Sequence, residues 1–251
     1  MRKLGLIGGM SWVSTAMYYE QINKGIARRL GGSSSAPLLI ESVDFGPIAA
    51  MQAAGEWNAL AARMAESARR LAEAGAEGLL LCSNTMHKVY DEIAAAVDVP
   101  ILHIGDVTAE RLAGDGVTRA GLIGTRFTMA ETFYRDRLEE RGIAVSLPDP
   151  ADIQEIDRII FEELVRGQVT RQSQRWLKTC LTTMSQARQQ CVILGCTELV
   201  MLVDPGATVV PVYDTTALHA KAAVDWILAE EKIFFARDGS NEPVEKARAR
   251  R

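Results

Sequence analysis

The sequence lacks most of what marks metal, dinucleotide and nucleic-acid proteins. Three histidines and four cysteines are spread over 251 residues with no Cys-x-x-Cys or His-x-x-x-His pair, so no metal site is expected. The Gly8-Gly9 turn lacks the Gly-x-Gly-x-x-Gly spacing of a dinucleotide-binding loop. There is no excess of positive charge: 28 Lys and Arg face 32 Asp and Glu, a formal net charge of −4. That balance leaves no footprint for nucleic acid. No apolar run approaches the ~18 residues of a membrane span. No export signal follows Met1-Arg2-Lys3, so a cytoplasmic chain with reduced thiols is expected. Aromatic residues are only 6%, and the Phe234-Phe235 pair reads as packing. No lysine sits at a turn where a pyridoxal Schiff base would be expected; Lys88 lies beyond the first turn of its helix.

What is present is alternation. Short aliphatic runs take turns with longer helical patterns, the mark of an α/β fold with parallel strands. Strands are expected at Leu4–Gly8, Leu38–Val43, Gly78–Leu81 and Ile101–Ile104 in a first half. In a second half they fall at Ala120–Ile123, Cys191–Leu194 and Thr208–Val212. Ser11 or Ser14 caps a helix with Tyr18, Ile22, Ile26 and Leu30 on one face, and Gly31-Gly32 stops it. Glu56 to Ala74, Thr128 to Arg141, the Trp176–Ala187 region and Thr216–Leu228 read as helices. The first lobe is assigned to residues 1–103 plus about 210–230 and the second to 104–209, with a solvated, flexible tail over 236–251.

The halves look like copies. Leu4-Gly5-Leu6-Ile7-Gly8 returns as Ala120-Gly121-Leu122-Ile123-Gly124, and at nearly the same offset Cys82 returns as Cys196. Both cysteines end an aliphatic run where a strand meets a helix start. A helix N-terminus lowers a thiol pKa and offers free amides to an anion. The amides of Ser83, Asn84 and Thr85, with the Asn84 and Thr85 side chains, suit a carboxylate, and Thr197 does the same opposite. Ligands in open α/β sheets bind beyond the carboxyl ends of strands. Two thiols on opposite faces of one carbon would serve a racemase. Cys180 and Cys191 read as structural, His87 as a capping or packing residue, and His103 and His219 as interior or helix-face residues.

Gly8-Gly9-Met10-Ser11-Trp12, Cys82-Ser83-Asn84-Thr85-Met86-His87-Lys88 and Gly195-Cys196-Thr197-Glu198 resemble the aspartate/glutamate racemase family. The similarity is closest to its aspartate racemase and broad-specificity amino-acid racemase branch and extends to about residue 228. The resemblance implies two Rossmann-like lobes related by pseudo-twofold symmetry with the active site between them, a two-base mechanism without cofactor, and a homodimer. Carried over by position, Cys82 and Cys196 are the proton donor/acceptor pair. Met10, Gln52, Ser83, Asn84, Thr85, Thr197 and Glu198 fall at substrate-contacting positions, and Thr125 and Thr128 line the second lobe's side. The presence of both cysteines removes the usual sign of a one-sided relative.

The resemblance implies an amino-acid substrate, acidic or from a broader set that includes neutral or basic ones. Ser42-Val43-Asp44-Phe45-Gly46-Pro47-Ile48 carries no basic residue, Phe161-Glu162-Glu163-Leu164 places acids where a cation would be wanted, and Arg126 is the available substitute. Two other readings stand beside racemisation: isomerisation or decarboxylation of a small dicarboxylate, and a non-catalytic binding protein for small acids.

Overall fold

The computed structural model describes residues 1–229; the expected tail and the Phe234-Phe235 pair lie outside them. In chain order the elements are β1 (Leu4–Gly8), α1 (Trp12–Leu30), β2 (Leu38–Ser42), α2 (Phe45–Ala54), α3 (Trp57–Glu73), β3 (Gly78–Leu81), α4 (Tyr90–Ala94), β4 (Ile101–Leu102) and α5 (Ile104–Gly114). They continue with β5 (Arg119–Gly124), α6 (Arg126–Ala130), α7 (Thr132–Glu139), β6 (Ala144–Ser146), α8 (Pro150–Arg158), α9 (Arg171–Gln186), β7 (Cys191–Gly195), β8 (Val212–Asp214) and α10 (Thr215–Leu228).

Two four-stranded parallel sheets result, in the orders β2-β1-β3-β4 and β6-β5-β7-β8. Every residue of β1, β3 and β7 is buried, as expected of parallel strands covered on both faces. Strand side chains alternate between faces, and this sorts the core. On the first sheet Leu4, Leu6, Leu80 and Cys82 join Tyr18 and Ile22 of α1 and Ala220 and Trp226 of α10. Ile7, Leu79 and Leu81 join Leu60, Met64 and Leu71 of α3 on the other face. On the second sheet Ile123, Val192, Leu194 and Cys196 share a cluster with α8 and α9, while Ala120, Leu122, Cys191 and Ile193 pack with α5 and α7.

Local chemistry sets the element ends. Ser11 caps α1 through Ser14 N, and Gly31 at φ 73° ends it. Thr125 caps α6 through Thr128 N, and Asp214 caps α10 through Thr216 and Ala217 N. Gly9, at φ +90°, has no room for a side chain: a Cβ would come 2.1 Å from the Val43 carbonyl oxygen.

Several expectations are corrected. Leu30 is 52% exposed, because the last turn of α1 outruns the sheet. The strand after Pro100 is two residues long, since His103 caps α5 through Gly105 N and Ile104 already begins that helix. The expected helix to Arg141 breaks at Glu131, which is extended (φ −96°, ψ 164°) and pairs with Lys88 of the other lobe at 2.7 Å. The last strand starts after Pro211, which has no N–H to give. That strand was expected to return to the first lobe with the following helix; β8 pairs with β7 in the second sheet, and only α10 crosses back, against α1 and α5.

Candidate active site

β1, β3, β5 and β7 end on the same side of their sheets, and their exits meet across a small cleft. Met10, Phe45, Gln52, Ser83, Asn84 and Thr85 line it from the first lobe. Thr125, Ile160, Phe161, Val165, Gly195, Cys196, Thr197 and Glu198 line it from the second. The lobes are stitched at its floor. Thr85 Oγ1 and Thr125 Oγ1 are 2.8 Å apart, and Ser11 and Ser14 of α1 each reach Glu198 Oε1 at 2.7 Å.

Glu198 is the hub. It faces Ser11 and Ser14 on one oxygen, and Thr197 at 2.6 Å and Cys196 Sγ at 3.1 Å on the other. Ser14 and Thr197 also touch each other, so one of their two hydroxyl protons lies between them rather than on Glu198. Cys196 has a proton acceptor in contact. Burial pushes its thiol well above the ordinary value, and the Glu198 charge adds to this; the amides of Glu198 and Leu199 pull the other way but less. The thiol thus needs a compensating positive charge before its proton moves. The expected lowering of both thiol pKa values by helix N-termini is not found. Each cysteine is followed by a five-residue 3-10 turn, Thr85–Val89 or Thr197–Met201, and desolvation outweighs the few amides there.

Sheet register corrects the pairing of the two cysteines. Ile7 pairs with Leu81 and Ile123 with Leu194, and one step on Gly124 pairs with Gly195. With Ile7 matched to Ile123, Leu81 corresponds to Leu194, Cys82 to Gly195, and Ser83 to Cys196. A one-residue shift along a strand turns the side chain to the opposite face. Cys82 accordingly has no exposed surface and lies in the apolar cluster between β3, α1 and α10, off the cleft, with its thiol raised by burial alone. Ser83 is the residue that lines the cleft opposite Cys196.

Thr128 is also off the cleft. It is fully buried behind Thr125, whose hydroxyl is 3.2 Å from its own, in the space left by the side-chain-free Gly124 and Gly195. Met10, Gln52, Ser83, Asn84, Thr85, Thr125, Thr197 and Glu198 all reach the cleft wall. In the sequence Ser11 and Ser14 read as helix caps, and Ser11 as a nucleophile has no recognisable partner; their spacing of three, on the first turn of a helix leaving a strand exit, was the available signal for a pair aimed together.

Asn84 differs from the expected carboxylate ligand. Thr215 spends its one hydroxyl proton on the Leu194 carbonyl at 2.8 Å, so it must accept from Asn84, which fixes Nδ2 toward it at 3.1 Å. Asn84 Oδ1 is left buried without a partner. A bare acceptor in a cleft wall is matched by an ammonium group.

Neither acid nor base stands where the sequence placed them for a distal carboxylate. Glu163 turns away to Arg158, Thr170 and Ser173, and Glu162 pairs with Arg158. Arg126 is bound to Asp157 at 3.2 Å and lies over Phe127. Behind the Ser83 turn, His87 donates from Nδ1 to the Ser83 carbonyl at 2.7 Å and accepts from Ile104 N at 3.2 Å, packing as expected.

The sequence profile of the Asp/Glu/hydantoin racemases matches residues 7–223. The broad-specificity amino-acid racemase RacX of Bacillus subtilis is 27% identical over 164 residues, 65% of this chain and 70% of its own. A candidate Asp/Glu racemase from Yersinia pestis superposes with a TM-score of 0.84 at 45% identity, covering 91% of this chain and all of that one. An aspartate racemase homologue from Pyrococcus horikoshii gives 0.76 at 32% identity over 90% of this chain and 99% of that one. The chain belongs to the Asp/Glu/hydantoin racemase family.

Proposed function

We propose that this chain racemises a free α-amino acid without a cofactor, with Cys196 as the thiol that exchanges the Cα proton. The observation that carries the reading is the Cys196–Glu198 pair at the end of β7, set across a small cleft from the Ser83-Asn84-Thr85 turn. The hydroxyls and amides of Ser83, Thr85, Thr125 and Thr197 hold the α-carboxylate, and Asn84 Oδ1 takes the ammonium. That positive charge offsets the Cys196–Glu198 repulsion, so the thiol proton passes to Glu198 and the thiolate removes the Cα hydrogen. Hydroxyl donors around the carboxylate stabilise the charge that develops on it.

The other face of Cα is served by Ser83. A hydroxyl can return a proton there but is a poor base at neutral pH, so the two directions differ in how the proton is first removed. A scheme with two thiols requires Cys82 to leave its apolar cluster.

The test is incubation in D2O with each enantiomer separately, followed by chiral analysis. The expected result is Cα deuterium uptake, faster from one enantiomer, with interconversion of the two. No uptake from any amino acid, with the thiols shown to be reduced, overturns the reading in favour of dicarboxylate isomerisation or decarboxylation.

A further inference from the structure

Resting on the amino-acid reading of the same cleft, we infer that its substrate carries an uncharged, mainly apolar side chain rather than a carboxylate. Beyond the polar floor the cleft wall is Phe45, Ile160, Phe161 and Val165, two aromatic and two aliphatic side chains contributed by both lobes. Among the described residues that line it there is no lysine or arginine.

Local structure aims these residues. Phe45 is the first residue of α2, capped by Asp44, and it shares a helix face with Gln52 one heptad on. Ile160 and Phe161 sit in a π-helical turn, Ile159–Glu163, that continues α8. A π-turn adds a residue to the turn and rotates the side chains downstream of it. It directs Ile160, Phe161 and Val165 at the cleft while Glu163 goes to Arg158, Thr170 and Ser173.

Arg126 and Lys88 are committed elsewhere. Arg126 lines an outer groove beyond Phe161 and Gln52, where Asp157 accepts from both its backbone N–H at 2.8 Å and its guanidinium. Lys88 pairs with Glu131 and lies 3.8 Å over the Trp57 ring. A second carboxylate on the substrate would enter an apolar wall with the Glu198 carboxylate already in the same cleft. Desolvation and like charge both oppose it. An alkyl or thioether side chain displaces water from that wall and gains by it.

The test compares L-leucine, L-methionine, L-aspartate, L-glutamate and L-lysine with the purified chain, by calorimetric binding and by Cα exchange in D2O. The expected result is binding of leucine or methionine at least about tenfold tighter than any charged amino acid, with exchange in the same order. F45R is expected to bring aspartate affinity up and leucine affinity down. Tighter binding of leucine without exchange upholds the subsite and overturns the racemase reading. Aspartate or lysine bound as tightly as leucine, or no amino acid bound at all, overturns the inference.

Discussion

The proton on Cys196 has one acceptor in contact, the Glu198 carboxylate, which two serines and a threonine hold in place. Cys82 has none and belongs to the core. C196A is therefore expected to lower Cα exchange by at least about 100-fold, the scale of a lost acid–base group. C82A is expected to keep exchange within a few-fold and to cost stability instead. S83C, which puts a thiol at the position equivalent to Cys196, is expected to speed exchange from the slower enantiomer. Exchange rates for each enantiomer and each variant check all three; loss of exchange in C82A with the fold intact would restore the two-cysteine scheme. The signal for this was in the sequence. The aliphatic runs that lead to the two cysteines are offset by 113 residues and the cysteines by 114, so the halves cannot match thiol on thiol and strand on strand at once. Aligning Leu79-Leu80-Leu81 on Val192-Ile193-Leu194 puts Ser83 on Cys196. The eye follows the rare residue, while the backbone follows the strand register.

Among elements, α10 docks closely on both β3 and α1. A Cβ on Gly78 would lie 2.5 Å from the Trp226 ring, and one on Gly25 2.6 Å from Val224. G78A is expected to destabilise the fold by about 1–3 kcal/mol through overpacking, read as a shift of the urea midpoint. Adding W226L is expected to recover part of it, since the clash is with the ring alone. A G78A midpoint equal to the parent's would mean that α10 yields freely. Strands and long helices were legible because continuous aliphatic runs and 3.6-residue spacing report burial directly: β1, β3 and α3 lie within two residues of the expected bounds, and α9 carries the expected stripe but starts five residues before Trp176. The break at Glu131 was not, because its cause is a lysine 43 residues away in the other lobe. α2 and the π-turn were missed for a related reason. The Phe45–Ala54 sequence has no strong periodicity, and nothing local announces an extra residue in a helical turn. The two features that shape the apolar wall were thus the least visible ones.

At the scale of the molecule, three histidines meet at the junction of the lobes. The His87 ring centroid is 4.5 Å from that of His103 and 5.9 Å from that of His219, with Tyr18, Tyr90 and Arg137 around them. Burial brings His87 down to about 4 and His219 down to about 3, and holds His103 well below its ordinary value. Unfolded, each titrates near 6.5. Between those values the unfolded chain binds more protons, so stability falls as pH drops below 6.5, by up to about 1.4 kcal/mol per pH unit for each histidine. The expected outcome is a thermal midpoint flat from pH 8 to 7 that declines steeply from 6.5 to 5, above the range where carboxylates titrate. A midpoint unchanged to pH 5 would mean that the cluster opens to water.

The return of α10 to the first sheet also sets an order in time. Leu4, Leu6 and Leu80 are covered on one face by Ala220, Ala223 and Trp226. A ribosome makes that face and its α1 cover first and its α10 cover last, so the lobe begun at residue 4 stays half covered on that side until residue 228 has left the exit tunnel. The nascent amino-terminal half thus carries a partly bare aliphatic face until α10 is made. For this chain the usual order, amino-terminal unit folded first, is reversed: the second sheet can close its own strands while the first still waits for its last helix.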